Sequence, residues 1–113
     1  MKVAELSGAQ LDWAVAKADG WEPMMDEDGI YFYDFMEEKN WRPSTDWAQG
    51  GPIIERDGIA LKRIIDGWRA TRDWIRYDFI APTPLIAAMR CYVASKLGEE
   101  VEIPEEVVNE NPN

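Results

Sequence analysis

Apolar positions recur at helical spacing in two places along the chain and alternate at strand spacing in several others. Leu11, Ala14, Val15 and Ala18 follow the i, i+3, i+4, i+7 rule after Ser7 and Gln10, which fit a capping box, and Gly20 stops the run. A first helix is predicted there. Asp28-Gly29 then turns the chain into Ile30-Tyr31-Phe32-Tyr33-Asp34-Phe35, whose aromatic and β-branched content reads as a strand. Ile30 and Phe32 would face one side and Tyr31, Tyr33 and Phe35 the other, so both faces are expected to be covered or used.

After a long connection from Asn40 to Pro52, Ile53, Ile54, Ile59 and Leu61 suggest one or two short strands around the Asp57-Gly58 turn. Trp68 to Arg72 and Trp74 to Phe79 read as further strands. The second helix is marked most plainly. Thr83 is a natural N-cap, Pro84 suits the first helical position, and Gly98 stands where a C-terminal cap belongs. Leu85, Met89, Tyr92 and Lys96, with Ile86, Val93 and Leu97, form a broad and mostly apolar side. Ala87, Cys91, Ala94 and Ser95 form a stripe of small residues that permits close approach to a sheet. Val101 and Ile103 alternate with acids like a short edge strand that Pro104 closes. The expected fold is one α+β domain over residues 1–104, a small layered sandwich of mainly antiparallel sheet with three to five short strands and two main helices. Residues 105–113 are expected to be a frayed acidic tail.

Composition narrows the chemistry. The chain has 113 residues, 46% of them hydrophobic, which is enough for a core and too many for a disordered acidic polymer. There are 0 histidines, which removes the His-based triads and every His-containing zinc site, and the one cysteine cannot form an internal disulfide. Cys91, among alanines, is expected to be packed rather than reactive. Asp26-Glu27-Asp28-Gly29 fails as a calcium loop, because aligning Gly29 on the loop glycine puts Met24 and Phe35 where Asp and Glu must ligate. No metal, cofactor or catalytic residue is assigned, and the chain is expected not to be an enzyme. No apolar run approaches the roughly 18 residues of a membrane span, and no signal-peptide pattern opens the chain. The expected location is intracellular.

The net charge of −10 is unevenly placed. Met1 to Glu38 carries ten acids against two lysines, Leu97 to Asn113 six acids and no base, whereas Arg56 to Arg76 has six bases against three acids. Direct binding to nucleic acid or to an anionic membrane is therefore disfavoured. An acidic surface serves solubility, or imitates nucleic acid and occupies a basic protein.

Two segments carry candidate binding chemistry. In Trp41 to Pro52, Ser44 or Thr45 can cap a single helical turn over Asp46 to Gln49, which Gly50 would stop and Pro52 would keep from continuing. Ser44, Thr45, Asp46, Trp47, Gln49, Gly50 and Gly51, with Arg56 a few residues on, would then receive a small anionic ligand on free N–H groups beside a stacking indole. Asp46 opposes a phosphate unless turned away. The alternative is that Trp47 plugs the core and the glycines only turn the chain. In the second segment, Trp68, Arg72, Trp74 and Arg76 interleave aromatic and basic residues as interfaces do, with the last three on one strand face. The alternative there is a sheet whose arginines pair with the chain's own acids.

Pro43 to Arg56 (PSTDWAQGGPIIER) and Thr83 to Val101 (TPLIAAMRCYVASKLGEEV), with the opening Leu6 to Gly20, closely resemble the NinX-like proteins of tailed bacteriophages, described as a phage alpha/beta/alpha sandwich family. These stretches cover somewhat under half the chain, and Ile59 to Pro82 departs from the family pattern. The resemblance implies a small accessory protein of a phage or prophage, made in the host cytoplasm, with a three-layer fold and no assigned catalytic residues. From the loop residues the leading expectation is sequestration of a small nucleotide in the 44–56 loop as a counter-defence; from the charge distribution the alternative is acidic inhibition of a basic host protein. A homo-oligomer is compatible with either.

Overall fold

The structure, a computed structural model, describes residues 1–73 and 76–107. Trp74 and the last part of the acidic tail, 108–113, lie outside the described residues.

A short 3-10 turn, Val3–Glu5, leads into helix α1, Gly8–Ala18. Strands β1 (Met24–Asp26), β2 (Gly29–Asp34) and β3 (Glu37–Asn40) form an antiparallel sheet in sequence order. Helix α2, Trp47–Asp57, separates it from a second antiparallel sheet of β4 (Ala60–Ile64), β5 (Gly67–Arg72) and β6 (Tyr77–Ala81), and helix α3, Pro84–Leu97, completes the fold. The α+β class and the antiparallel strands are as expected. The strands divide into two sheets of three, and a third helix stands between them.

α3 is the centre of the molecule. Thr83 caps it by accepting the Ile86 N–H at 3.2 Å, and Pro84 fills its first turn. Its small residues face the second sheet, where the Cys91 thiol lies 3.7 Å from the Tyr77 carbonyl of β6. Tyr92 points the other way, toward α1 and α2. Met89, Cys91 and Val93 are fully buried, and each such side chain contributes about 1.5–3 kcal/mol when it leaves water. The second sheet covers α3 with Ala70, Phe79 and Ala81, the alternate residues of β5 and β6, and its other face carries Arg69, Asp78 and Ile80 in solvent. α3 therefore lies between the second sheet on one side and α1 with α2 on the other.

The first sheet attaches to α1 through an aromatic trio. Trp41 meets Trp21 edge-on at 5.0 Å and Phe32 at 5.6 Å, and its indole N–H donates to the Asp12 carbonyl at 2.9 Å. Among the described residues after α3, Glu100 alone forms a bridge, an isolated one with Lys2, and Val101 to Ile103 form no strand. Val101 instead exchanges backbone hydrogen bonds with Met1, and Val107 is buried.

Candidate functional site

The segment 41–57 is held from both sides. Asp12 of α1, itself buried, accepts the Ser44 N–H at 2.8 Å and fixes the start of the segment. Gln49 bridges back, its side-chain oxygen accepting from the Arg42 N–H and its amide nitrogen donating to the Asn40 carbonyl, both at 2.6 Å. Asp46 is the N-cap of α2 and accepts the Ala48 N–H at 2.9 Å.

α2 then runs through the residues expected to stop it. Gly50, Ile53, Ile54 and Asp57 lie at i, i+3, i+4 and i+7 and face inward, and tertiary packing selects the helix over local punctuation. Gly50 is required by closeness rather than by turning: a β-carbon there would collide with the Pro43 carbonyl and stand 2.6 Å from Leu85 of α3. Pro52 deprives only the Ala48 carbonyl of its helical donor, and Ala48 is exposed, a position where water can serve as donor instead. The left-handed stop comes at Gly58, φ 64°. Ile53 and Ile54 are thus helical, not strand.

This geometry divides the expected ligand residues. Asp46, Gln49 and Gly50 have internal structural tasks. Ser44, Thr45 and Trp47 line a cavity of about 240 Å³ against the start of α3, and the Ser44 hydroxyl, fully buried, has no hydrogen-bond partner among the described residues. Thr45 also borders a cavity of about 380 Å³ lined by Trp41 and Arg42. Arg56 stands at the far end of α2, ten residues from Asp46, or roughly 15 Å along the axis. There, with Gly51, Pro52 and Glu55, it borders a separate open depression.

Arg56 belongs to an ion cluster. Its guanidinium donates to Asp19 at 2.9 Å, to Asp57 at 2.9 Å and to the Tyr92 hydroxyl at 3.0 Å. Burial opposes its charge, and the bond to Asp57 with the charges of Asp19 and Asp57 more than offsets this, so its pKa rises. The Tyr92 hydroxyl donates to Asp19 at 2.8 Å, and its own pKa is pushed far up, first by burial and then by Asp19. Asp57 also receives Arg72 at 3.4 Å and Lys96 at 3.6 Å.

The expected aromatic and basic strand face is not assembled. Asp73 has φ 55°, which ends β5 and turns the chain, so Arg72 and Arg76 do not share a strand. Arg72 joins Asp57, Arg69 pairs with Asp78 at 3.0 Å, Trp68 packs half-buried on the core beneath Arg63, and Arg76 lies over Tyr77. The alternative of arginines satisfied by the chain's own acids describes Arg69 and Arg72. Cys91 is fully buried and its thiol is pushed up to about 12, chiefly by burial, which leaves no thiolate for nucleophilic work at neutral pH.

The first sheet presents a feature that the sequence reading missed. Phe35 does not cover a strand face. It and Met36 form the two-residue tip between β2 and β3, 98% and 95% exposed, with Asp34 paired opposite Glu37 and Tyr33 opposite Glu38. Phe35 has φ 60°, a conformation that hairpin tips normally give to glycine. Glu38 raises the Tyr33 phenol pKa, through its charge and a 3.4 Å hydrogen bond. From Glu22 to Glu38 there are seven acids and no base, and among the described residues only Glu22 and Asp34 of these meet a lysine. The signal was present as Asp34-Phe35-Met36-Glu37-Glu38, an apolar pair enclosed by acids, but without Gly or Asn it does not read as a turn.

No helix among the described residues is long and apolar enough to cross a membrane. A family model described as Bacteriophage P22, NinX matches residues 2–96, including the Ile59 to Pro82 stretch that the motif resemblance left out. No curated protein matches the chain.

Proposed function

The chain belongs to the bacteriophage NinX family, and from that premise we propose that it is a non-enzymatic accessory protein of the host cytoplasm that occupies a basic host or phage protein with its acidic first sheet. The supporting observation is where unneutralised charge remains. Arg56, Arg69, Arg72 and Lys96 are spent on Asp19, Asp57 and Asp78, while the hairpins between Glu22 and Glu38 display acids with few internal partners. Such a surface speeds encounter with a basic protein and rejects nucleic acid and anionic lipid. The test is capture from infected cells, with identification by mass spectrometry, comparing the natural chain with a variant carrying Asp34→Asn, Glu37→Gln and Glu38→Gln. A basic protein captured by the first, lost with the second and released by salt supports the reading; equal capture by both removes it.

A second reading rests on the Ser44 hydroxyl. Its lack of a partner among the described residues, beside the 240 Å³ cavity, keeps a small phosphate-containing nucleotide, stacked on Trp47, as a ligand of the α2–α3 junction. Asp46 at the N-cap and the distance to Arg56 count against it. Calorimetry with mono-, di- and cyclic nucleotides, repeated with Trp47→Ala, decides it, and absence of heat with every nucleotide ends it.

A further inference from the structure

Three local costs meet at the tip of the β2–β3 hairpin, and none of them is repaid within the fold. Phe35 and Met36 expose nearly all of two large apolar side chains. Phe35 holds φ 60°, where a β-carbon crowds the backbone and glycine would not. Asp34 and Glu37 face each other directly across the ladder, a like-charge pairing that weakens a hairpin, with Lys39 reaching only Asp34, at 3.4 Å. Hairpin tips more often carry small polar residues.

We propose that Phe35 and Met36 are an apolar plug that enters a socket on the partner protein, and that lysines or arginines on the socket's rim pair with Asp34, Glu37 and Glu38. The inference rests on the reading of the first sheet as an acidic docking surface and adds how the partner is gripped. Charge selects this occupant. An anionic lipid surface or the same tip of a second copy would bring acids against acids, whereas a socket rimmed with cations neutralises them as the apolar pair is buried. Ile65, 96% exposed at the β4–β5 turn, is an internal comparison. It is equally apolar and exposed, but its neighbours Arg63 and Asp66 give it no acidic collar.

The experiment places the photo-crosslinking residue p-benzoylphenylalanine at position 35 or, separately, at position 65 of the full chain in infected cells. The expected result is an adduct from position 35, and not from 65, with one protein of strongly basic composition. With that protein purified, Phe35→Ser should dissociate at least tenfold faster while the salt dependence of binding is unchanged. Equal adducts from both positions, an adduct at twice the chain's mass, Phe35-dependent flotation with phosphatidylglycerol vesicles, or unchanged dissociation of Phe35→Ser would each overturn the plug. If Phe35→Ser binds normally but the three carboxylate substitutions abolish capture, the acidic surface stands and only the plug fails.

Discussion

The carboxylate of Asp12 accepts the backbone N–H of Ser44 at 2.8 Å, and both residues are buried. Through this bond α1 sets where the 41–57 segment begins, 32 residues further along the chain. Removing the acceptor strands a buried donor, so Asp12→Ala should cost about 1–3 kcal/mol in denaturant unfolding. Asp12→Asn, which keeps an acceptor oxygen, should cost less. Equal losses for the two would show that charge, and not the hydrogen bond, holds the segment.

Adjacent glycines in α2 should respond unequally. Gly50→Ala drives a methyl group into Pro43 and Leu85, an overpacking that should cost about 1–3 kcal/mol in spite of alanine's better helix propensity. At Gly51 no atom outside its chain neighbours comes closer to a new β-carbon than Trp47, at 3.9 Å, but a β-carbon there is also disfavoured in helical backbone by the following Pro52, so Gly51→Ala should cost less than Gly50→Ala, within about 1 kcal/mol of no change. Paired thermal melts check this, and an equal or smaller loss at Gly50 than at Gly51 would refute the packing account of Gly50.

High pH should unfold the chain through Cys91 and Tyr92. Both are acids whose pKa is raised on folding, Cys91 from 9.0 to about 12 and Tyr92 upward from 10.0. The folded state holds their protons more tightly. The stabilisation is complete below the unfolded pKa values and is lost as pH rises through the folded ones. Unfolding free energy should therefore fall from about pH 9 toward pH 12, and Cys91→Ala should flatten the decline. A thiol reagent at pH 8 should label Cys91 only after denaturation; rapid labelling of the native chain would contradict its burial.

Phe35→Gly should make the free chain more stable. The side chain is 98% exposed, so little packing is lost. Relief at positive φ gains about 1–2 kcal/mol, less the several tenths to 1 kcal/mol that glycine's unfolded-state freedom removes. A net gain of up to about 1 kcal/mol is expected in chemical denaturation. A clear loss would mean that Phe35 serves the fold, and the reason for proposing it as a plug would disappear.

What could be read from the sequence follows from how local each determinant is. Thr83, Pro84 and Gly98 bound α3 because capping is decided within a few residues, and the burial of Cys91 follows from its alanine neighbours on that helix. α2 was legible only as a single turn, because Gly50-Gly51-Pro52 looks like a stop until α3 is there to pack against. The separation of Arg56 from Ser44 and Trp47 follows from that same extra helical length. The tip at Phe35-Met36 was hidden for another reason: strand propensity continues through Phe35, and only the register of Asp34 with Glu37 reveals the turn.

The proposed role of the acidic first sheet in this NinX-family chain is to dock a basic protein. The most direct measurement is the slope of log Kd against log salt for the purified partner, with the natural chain and with the Asp34→Asn, Glu37→Gln, Glu38→Gln variant. Binding should weaken with salt, and the variant should show a clearly shallower slope with lower affinity. A Kd insensitive to salt, or the same slope and affinity for both proteins, would contradict it.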